Sequence, residues 1–172
     1  MAFNPEQALD ETDLRILREL QENARITYSE LGRRVSLTPP AVADRARRLE
    51  EAGIIRGYRV ELDLERVGLP IMAFVRMRAA GDLDCLELGR RTTDIPEFLE
   101  CHRVTGEDSY IAKVAVRSVE HLQELIDGLM PHAETITSIV LSSPVTHRVV
   151  DPSRSAPDEA PAAERRRSSR TA

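Results

Sequence analysis

Residues 36–53 read SLTPPAVADRARRLEEAG, and this stretch restricts the fold more than any other. Two prolines stand together at the front of a helical pattern. Thr38 suits the N-cap. Pro39 then falls at the first helical position, where a missing N–H costs nothing and a fixed φ helps. Pro40 is still in the first turn, whose N–H groups have no intrahelical acceptor. The pair therefore starts a rigid helix. Val42, Ala46 and Leu49 recur at i, i+4 and i+7 and predict a core-facing stripe. Ala41, Asp44, Arg45 and Arg48 fall on the opposite side, and Gly53 is placed to end the helix.

Two shorter helices are predicted upstream. Asp10 suits the N-cap of a helix over about 11–22, in which Leu14, Ile16, Leu17 and Leu20 form an apolar stripe. Asn23 to Arg25 breaks it. TYSE (27–30) reads as a capping box, with Thr27 as cap and Glu30 three residues on. A helix over about 28–35 buries Leu31 and Val35, and SLT turns the chain into the third helix. Three short helices with a tight turn before the last predict a helix-turn-helix.

After Gly53 the period changes. Ile55, Tyr58, Val60 and Leu62 alternate in a short extended arm, and LERVGLP (64–70) reads as a linker. A second unit follows. Strands are predicted over 71–79, 98–105, 110–117 and 135–145. Helices are predicted over 82–94 and from a Ser118 cap to Pro131, the latter striped by Leu122, Leu125, Ile126 and Leu129. The order β-α-β-β-α-β predicts a ferredoxin-like fold. From about Asp151 the chain turns to Pro, Ala, Ser and charge without an apolar period, a composition that predicts disorder. The expected division is 1–57 helix-turn-helix, 58–70 extended linker, 71–150 βαββαβ sensing and oligomerisation domain, and 151–172 tail. The fold class is α+β, with a winged-helix-like N-terminal unit.

A net charge of -5 over 172 residues disfavours a surface coated in nucleic acid. It leaves room for a local basic face, since binding depends on where charge sits. Only 3% of residues are aromatic, so the core is aliphatic. No stretch approaches the roughly 20 apolar residues of a membrane span. The early charges Glu6, Asp10, Glu11 and Asp13 do not suit a signal peptide. Two cysteines, Cys85 and Cys101, in no paired spacing suit a reducing cytoplasm.

LDETDLRILRELQENARITYSELGRRVSLTPPAVADRARRLEEAGIIRGYRVELD, followed by CHRVTGEDSYIAKVAV and TSIVLSSPV, resembles the Lrp/AsnC (leucine-responsive, feast/famine) transcriptional regulators. The resemblance spans residues 9 to about 149, with three separated motifs in order. It implies a DNA-binding head and a sensor domain that dimerises through its sheet. It also implies assembly to tetramers or octamers, and an effector, usually an amino acid, held between dimers.

The ordinary reading of arginines on a helix is a solvated face. In a helix-turn-helix, however, the outer face near the N-terminus of the last helix reads bases, and arginine reaches guanine bidentately. Arg45 and Arg48 are the candidate base readers, beside Pro40, Ala41 and Asp44. Asp44 is placed either to orient Arg45 or Arg48 or to repel wrong sequences. Thr38, Arg25, Arg34 and Arg47 suit phosphate contacts, which give position rather than sequence.

VTGEDSY (104–110) alone is an ordinary hairpin turn. The resemblance makes it one wall of an effector pocket, formed by Gly106, Glu107, Asp108 and Ser109. Thr135 and Thr137 would approach from another subunit. Many relatives carry aspartate where this chain has Ser109, so Asp108 or Glu107 is left to meet an ammonium.

Cys101-His102 has no third ligand in spacing, and His121, His132 and His147 are scattered, so it reads as an ordinary strand pair. No Gly-rich phosphate loop or nucleophile–base pattern points to catalysis, and no cofactor is expected. The run ERRRSSR (164–170) could attract phosphate nonspecifically, but the more ordinary reading of such a run is a soluble tail. The expected protein is a cytoplasmic, homo-oligomeric regulator of double-stranded DNA that answers to an amino-acid-like effector. The alternative is an ACT-like ligand-binding module whose N-terminal helices only mediate assembly.

Overall fold

The computed structural model describes residues 9–80 and 84–151. The chain divides into two compact units. One runs up to Val60 and resumes from His147, and the other is Glu61–Thr146.

The first unit holds α1 (Glu11–Glu22), α2 (Tyr28–Val35) and α3 (Pro39–Glu51). Asp10 caps α1 by accepting from the Asp13 N–H at 2.7 Å, and the Asp13 carboxylate accepts from the Asp10 N–H. The sequence pattern predicts such a reciprocal box at Thr27 instead. There only half forms: Thr27 accepts from the Glu30 N–H, but the Glu30 carboxylate turns to Arg33 and Arg34. Two arginines attract it more strongly than one backbone N–H.

Ile16, Leu17, Leu20, Leu31, Val35, Val42 and Leu49 form the core of this unit, joined at its edge by Leu9, Ile26, Leu37 and Ile55. Ser36, in the left-handed conformation at φ 60°, begins the turn into α3. The Leu37 N–H then donates to the Gly32 carbonyl at 2.9 Å. Past α3, Gly53 takes a φ of 70°, and the Ile54 N–H bonds back to Leu49. Residues 56–63 are neither helix nor strand, so the expected arm joins no ladder here.

The second unit is a sheet of four antiparallel strands in the order β2-β3-β1-β4. Its elements are β1 (Ile71–Ala79), α4 (Cys85–Thr92), β2 (Phe98–Arg103), β3 (Tyr110–Val116), α5 (Val119–Leu129) and β4 (Ala133–Ile139). This is the ferredoxin-like pattern. Paired residues of an antiparallel ladder share a face. Ala73, Val75 and Met77 with Ala112, Val114, Val116 and Tyr110 point to one face, where Leu88, Leu122, Leu125 and Leu129 cover them. The opposite face carries Met72, Phe74, Ile111 and Ile136 among charged residues, and Phe74 and Ile136 are exposed.

Several boundaries differ from expectation, and three of the differences are the largest. β4 ends at Ile139, opposite Ala73, with one further hydrogen bond from the Val140 N–H to the Met72 carbonyl at 2.9 Å; Leu141 and Val145 are exposed. α4 begins at Cys85 behind an Asp84 cap, and the part of the predicted helix at 82–83 lies outside the described residues. Residues 147–151, of which 147–150 were expected in the sensor domain, group with the helical unit. The Gln21 amide holds them there, accepting from the Val150 N–H at 2.8 Å and donating to its carbonyl at 3.0 Å. The expected tail from Pro152 onward lies outside the described residues.

Candidate functional site

The outer surface of α3 is the first site. Val42, Ala46 and Leu49 are buried, so the helix is fixed by its inner stripe and presents the other side. Pro39 and Pro40 hold the first turn, and Thr38 caps through its backbone only, with no side-chain cap hydrogen bond. Its hydroxyl is exposed, as are Pro40, Asp44, Arg47 and Arg48. Pro39 and Pro40 lack N–H groups, so Ala41 is the first residue of α3 that can offer one to a phosphate.

The five predicted arginines are not equivalent. Arg45, expected on the outer face as a base reader, reaches back instead to α1. One of its nitrogens lies 2.6 Å from Asp10 and 2.7 Å from Asp13, and its side chain is 24% exposed. The reason is geometric: Arg45 flanks the buried Ala46, and the two carboxylates of the α1 capping box stand within its reach. The Arg45 guanidinium holds the Asp10 carboxyl below its ordinary value of 3.8, helped by the Asp13 N–H.

Asp44 does not touch Arg45. It pairs with Arg47 at 2.6 Å and Arg48 at 3.4 Å. Arg47 also meets Glu51 at 3.1 Å. Arg34 is shared between Glu19 at 2.7 Å and Glu30 at 3.0 Å, so its charge is largely neutralised inside the unit. Arg25 is exposed and has no carboxylate in ion-pair range among the described residues. Exposed pairs such as Arg48–Asp44 are weak, typically about 0–1 kcal/mol, and a phosphate or base edge competes with them easily. Arg45 with two carboxylates does not exchange so readily.

Gly32 is a residue that the sequence pattern does not single out. A Cβ on it would lie 2.5 Å from the Leu37 carbonyl oxygen and 3.6 Å from the Pro39 nitrogen. The turn into α3 packs directly on the backbone of α2, and only glycine leaves the room. Its signal is position alone: a glycine inside a helix, four residues ahead of the turn.

The second site is the turn between β2 and β3. Gly106 has a φ of 113°, which other residues rarely adopt. The N–H groups of Gly106, Glu107 and Asp108 bond to no group among the described residues. Asp108 is not an open acceptor: Arg76 of β1 binds it at 2.7 Å. The Ser109 hydroxyl accepts from the Ala79 N–H at 3.3 Å, and the Ser109 N–H donates to Met77. Glu107 is exposed and makes no ion pair among the described residues.

Thr135 pairs with Met77 and Thr137 with Val75, so both hydroxyl residues lie on the helix-covered face and are partly buried. Within one chain they do not converge with the turn's carboxylates.

A groove of about 470 Å³ opens between α4 and β2, lined by Leu86, Gly89, Thr92, Phe98, Cys101 and Tyr110 among others. None of the predicted effector residues lines it. Burial pushes the Cys101 thiol up, which keeps it protonated. Among the described residues, no group of three or more His, Cys, Asp or Glu could hold a metal ion. No described helix is long and apolar enough to cross a membrane.

Comparison with known proteins connects the two units. A model described as winged helix-turn-helix DNA-binding matches residues 9–56, and one described as Lrp/AsnC ligand binding domain matches residues 72–150. The chain is 40% identical over 139 residues to an uncharacterised HTH-type transcriptional regulator, YezC, of Bacillus subtilis, covering 81% of this chain and 98% of that one. It is 34% identical to the regulator LrpC of the same organism, over 78% of this chain and 92% of the relative. The solved LrpC structure superposes with a TM-score of 0.77 at 33% identity, over 82% of this chain and all of that one. A transcriptional regulator from Neisseria meningitidis in complex with L-Met aligns at a TM-score of 0.80 and 31% identity, over 87% of this chain and all of that one.

Proposed function

Because the chain belongs to the Lrp/AsnC family of DNA-binding transcriptional regulators, we propose that it reads an operator with α3 and senses an amino acid at the Gly106 turn. The observation that carries the first half is the α3 surface. Its inner stripe is buried, its start is locked by two prolines, and Arg48 stands exposed on a single weak pair with Asp44. Arg48 is assigned to a base edge, with Pro40 and Ala41 forming the apolar floor beside it. Thr38, Arg25 and Arg47 are assigned to phosphates. Asp44 sets the resting pose of Arg48 and opposes wrong bases. Arg45 and Arg34 are reassigned: they hold α3 and α2 on α1 and act on DNA through that pose.

The sensor half follows from the chemistry of the turn. An amino acid presents one carboxylate and one ammonium. The uncommitted N–H groups at Gly106, Glu107 and Asp108 suit the carboxylate, as successive N–H groups form anion cradles. Glu107 suits the ammonium, since Asp108 already has Arg76. Ser109 braces the turn on Ala79. Thr135 and Thr137 contribute through a neighbouring subunit. Complexes of two structural neighbours with methionine, including an M. tuberculosis feast or famine regulatory protein, support an amino acid as the ligand class.

The uncovered sheet face, with Met72, Phe74, Ile111 and Ile136, is assigned to a homodimer, because such a face needs burial and a second copy is the simplest partner. Dimers would then assemble to tetramers or octamers. The functional division is a DNA-reading head over 1–57, a linker over 58–70 and a sensor from 71, with action in the cytoplasm through binding rather than catalysis.

The test is an electrophoretic shift on the DNA flanking the protein's own gene, with and without each of the twenty amino acids. A sequence-preferring shift altered by one of them is the expected result. A chain that binds amino acids but no DNA would instead favour an ACT-like regulatory module.

A further inference from the structure

The helical unit has little free positive charge. Between Leu9 and Val60 ten arginines face nine carboxylates, a net charge of +1. Seven of those arginines are already engaged: Arg18, Arg33, Arg34, Arg45, Arg47 and Arg48 with carboxylates, and Arg15 with the Arg34 carbonyl. Three are left, Arg25, Arg56 and Arg59, each exposed and without a carboxylate in ion-pair range among the described residues. DNA affinity rises with the number of phosphates that a protein neutralises. A guanidinium with no carboxylate to leave gives that affinity undiminished. Two of the three stand together in the stretch 56–59, just past α3.

This stretch belongs to no helix or strand, yet it is tied to α3 on both sides of Arg56. Before it, the Ile54 and Ile55 N–H groups both donate to the Leu49 carbonyl, at 2.9 and 3.0 Å. Ile55 also packs at the edge of the apolar core of the unit. After it, the Tyr58 hydroxyl donates to the Glu50 carboxylate at 2.8 Å. Burial and the Glu50 carboxylate push that hydroxyl up to about 12, so it stays protonated and keeps donating. Glu50 is thereby spent on the tyrosine and pairs with neither arginine. Arg56 is bracketed by the two attachments, and Arg59 follows the second directly.

We propose that the arm over 56–59, moored on α3 through Tyr58 and Glu50, is a second DNA contact, in which Arg56 and Arg59 take backbone phosphates of the duplex that α3 reads. Such contacts give position and affinity rather than sequence. Arg59 lies beyond residue 56, where the helix-turn-helix match ends. The mooring matters because an arm held at two points has less freedom to lose on binding than a loose one. This rests on the DNA-binding reading above.

The experiment measures anisotropy of two labelled duplexes, one of mixed sequence and one from the DNA flanking the protein's own gene, across a series of salt concentrations. Each lost phosphate contact lowers the log–log salt slope by about 0.9, so Arg56→Gln with Arg59→Gln should lower it by about 1.8 for each head on the duplex. Affinity should fall on both duplexes by similar factors, leaving the specificity ratio unchanged. Arg33→Gln removes an exposed charge that Glu30 already holds and should leave the slope as it is. Tyr58→Phe frees the arm and should weaken binding to both duplexes in the parent, but not in the double variant. Light scattering of each variant reads its assembly. A parent-like slope in the double variant would overturn the proposal, and so would an equal drop in Arg33→Gln, which would trace the effect to net charge. A double variant whose assembly is lost would also overturn it and assign the arm to contact between copies. A Tyr58→Phe loss of equal size in both backgrounds would overturn the mooring. No binding of the parent to either duplex at low salt would overturn the DNA reading as well.

Discussion

Replacing Gly32 with alanine tests whether the α2–α3 turn sits directly on the backbone of α2. The added Cβ would stand 2.5 Å from the Leu37 carbonyl oxygen, whereas real Cβ atoms essentially never come closer than 3.0 Å and ordinary contact begins at 3.4 Å. The turn must therefore retreat by 0.5–0.9 Å. The obstacle is main chain and cannot rotate aside. The retreat also strains the Leu37 N–H bond to the Gly32 carbonyl, 2.9 Å long, and shifts Thr38 and Pro39 at the head of α3. Overpacking of this kind costs about 1–3 kcal/mol. Against it stands the helix preference of alanine over glycine, about 1 kcal/mol. A rigid obstacle favours the upper part of the cost, so the net loss should be about 1–2 kcal/mol. For a unit of this size each kcal/mol moves the melting temperature by about 4–8 °C.

Gly128 supplies the internal control. It lies in α5, exposed, and nothing stands within 4 Å of the place where an alanine methyl would go. Gly128→Ala should stabilise its own unit by about 0.5–1 kcal/mol, since only the backbone entropy term remains. Thermal melts followed by circular dichroism, with operator binding measured in parallel, read both variants. Gly32→Ala should melt lower and bind more weakly, while Gly128→Ala should melt higher and bind normally. A Gly32→Ala protein that melts at or above the parent would refute the close approach of turn and helix.

Arg48→Ala should lower operator affinity and relax sequence preference, whereas Arg47→Ala should weaken all duplexes alike and flatten the salt dependence; equal specificity ratios for the parent and the Arg48 variant would remove Arg48 from the base-reading role. Arg45→Gln should destabilise the helical unit without changing the specificity ratio. The Asp10 carboxyl, held below 3.8 by Arg45, stabilises the fold above its unfolded value and ceases to do so as pH falls through its folded value. Acid melts below about pH 4 should therefore show a steeper loss in the parent than in Arg45→Gln. Gly106→Val, which forces a branched side chain to φ 113°, should abolish the amino-acid response while leaving DNA binding intact, and Glu107→Ala should weaken it more than Asp108→Ala; calorimetric titration with the best amino acid ranks them.

The elements that are legible in the sequence are those fixed by local pattern. The Ala73, Val75 and Met77 alternation of β1 and the Val42, Ala46 and Leu49 stripe of α3 each announce a buried face within a few residues. The Pro39-Pro40 start is readable because proline restricts its own backbone. Arg45 is misplaced by its helix pattern because its partners, Asp10 and Asp13, lie more than thirty residues away, and periodicity on one helix cannot reveal them. The same holds for Asp108, whose partner Arg76 is on another strand. β4 ends at Ile139 although Val140 and Val145 continue the β-branched pattern: its pairing with β1 stops at Ala73, and a strand needs a paired neighbour as well as β-branched residues.

The long-range pairs of the helical unit converge on α1 and its cap, which makes that helix more than a filler of the head. Asp10 and Asp13 hold Arg45 of α3, and Glu19 holds Arg34 of α2. Gln21 and Arg18 hold the returning chain at Val150 and Asp151. The apolar stripe of Ile16, Leu17 and Leu20 is buried beneath them. Weak polar contacts of this kind add little to stability one by one. They do fix which way the helices point, because a guanidinium shared between two carboxylates tolerates little rotation of the helix that carries it. Under the proposed reading, the pose of α3 on DNA follows from α1 behind it, so charge changes on α1 should alter operator affinity without any residue there touching a base.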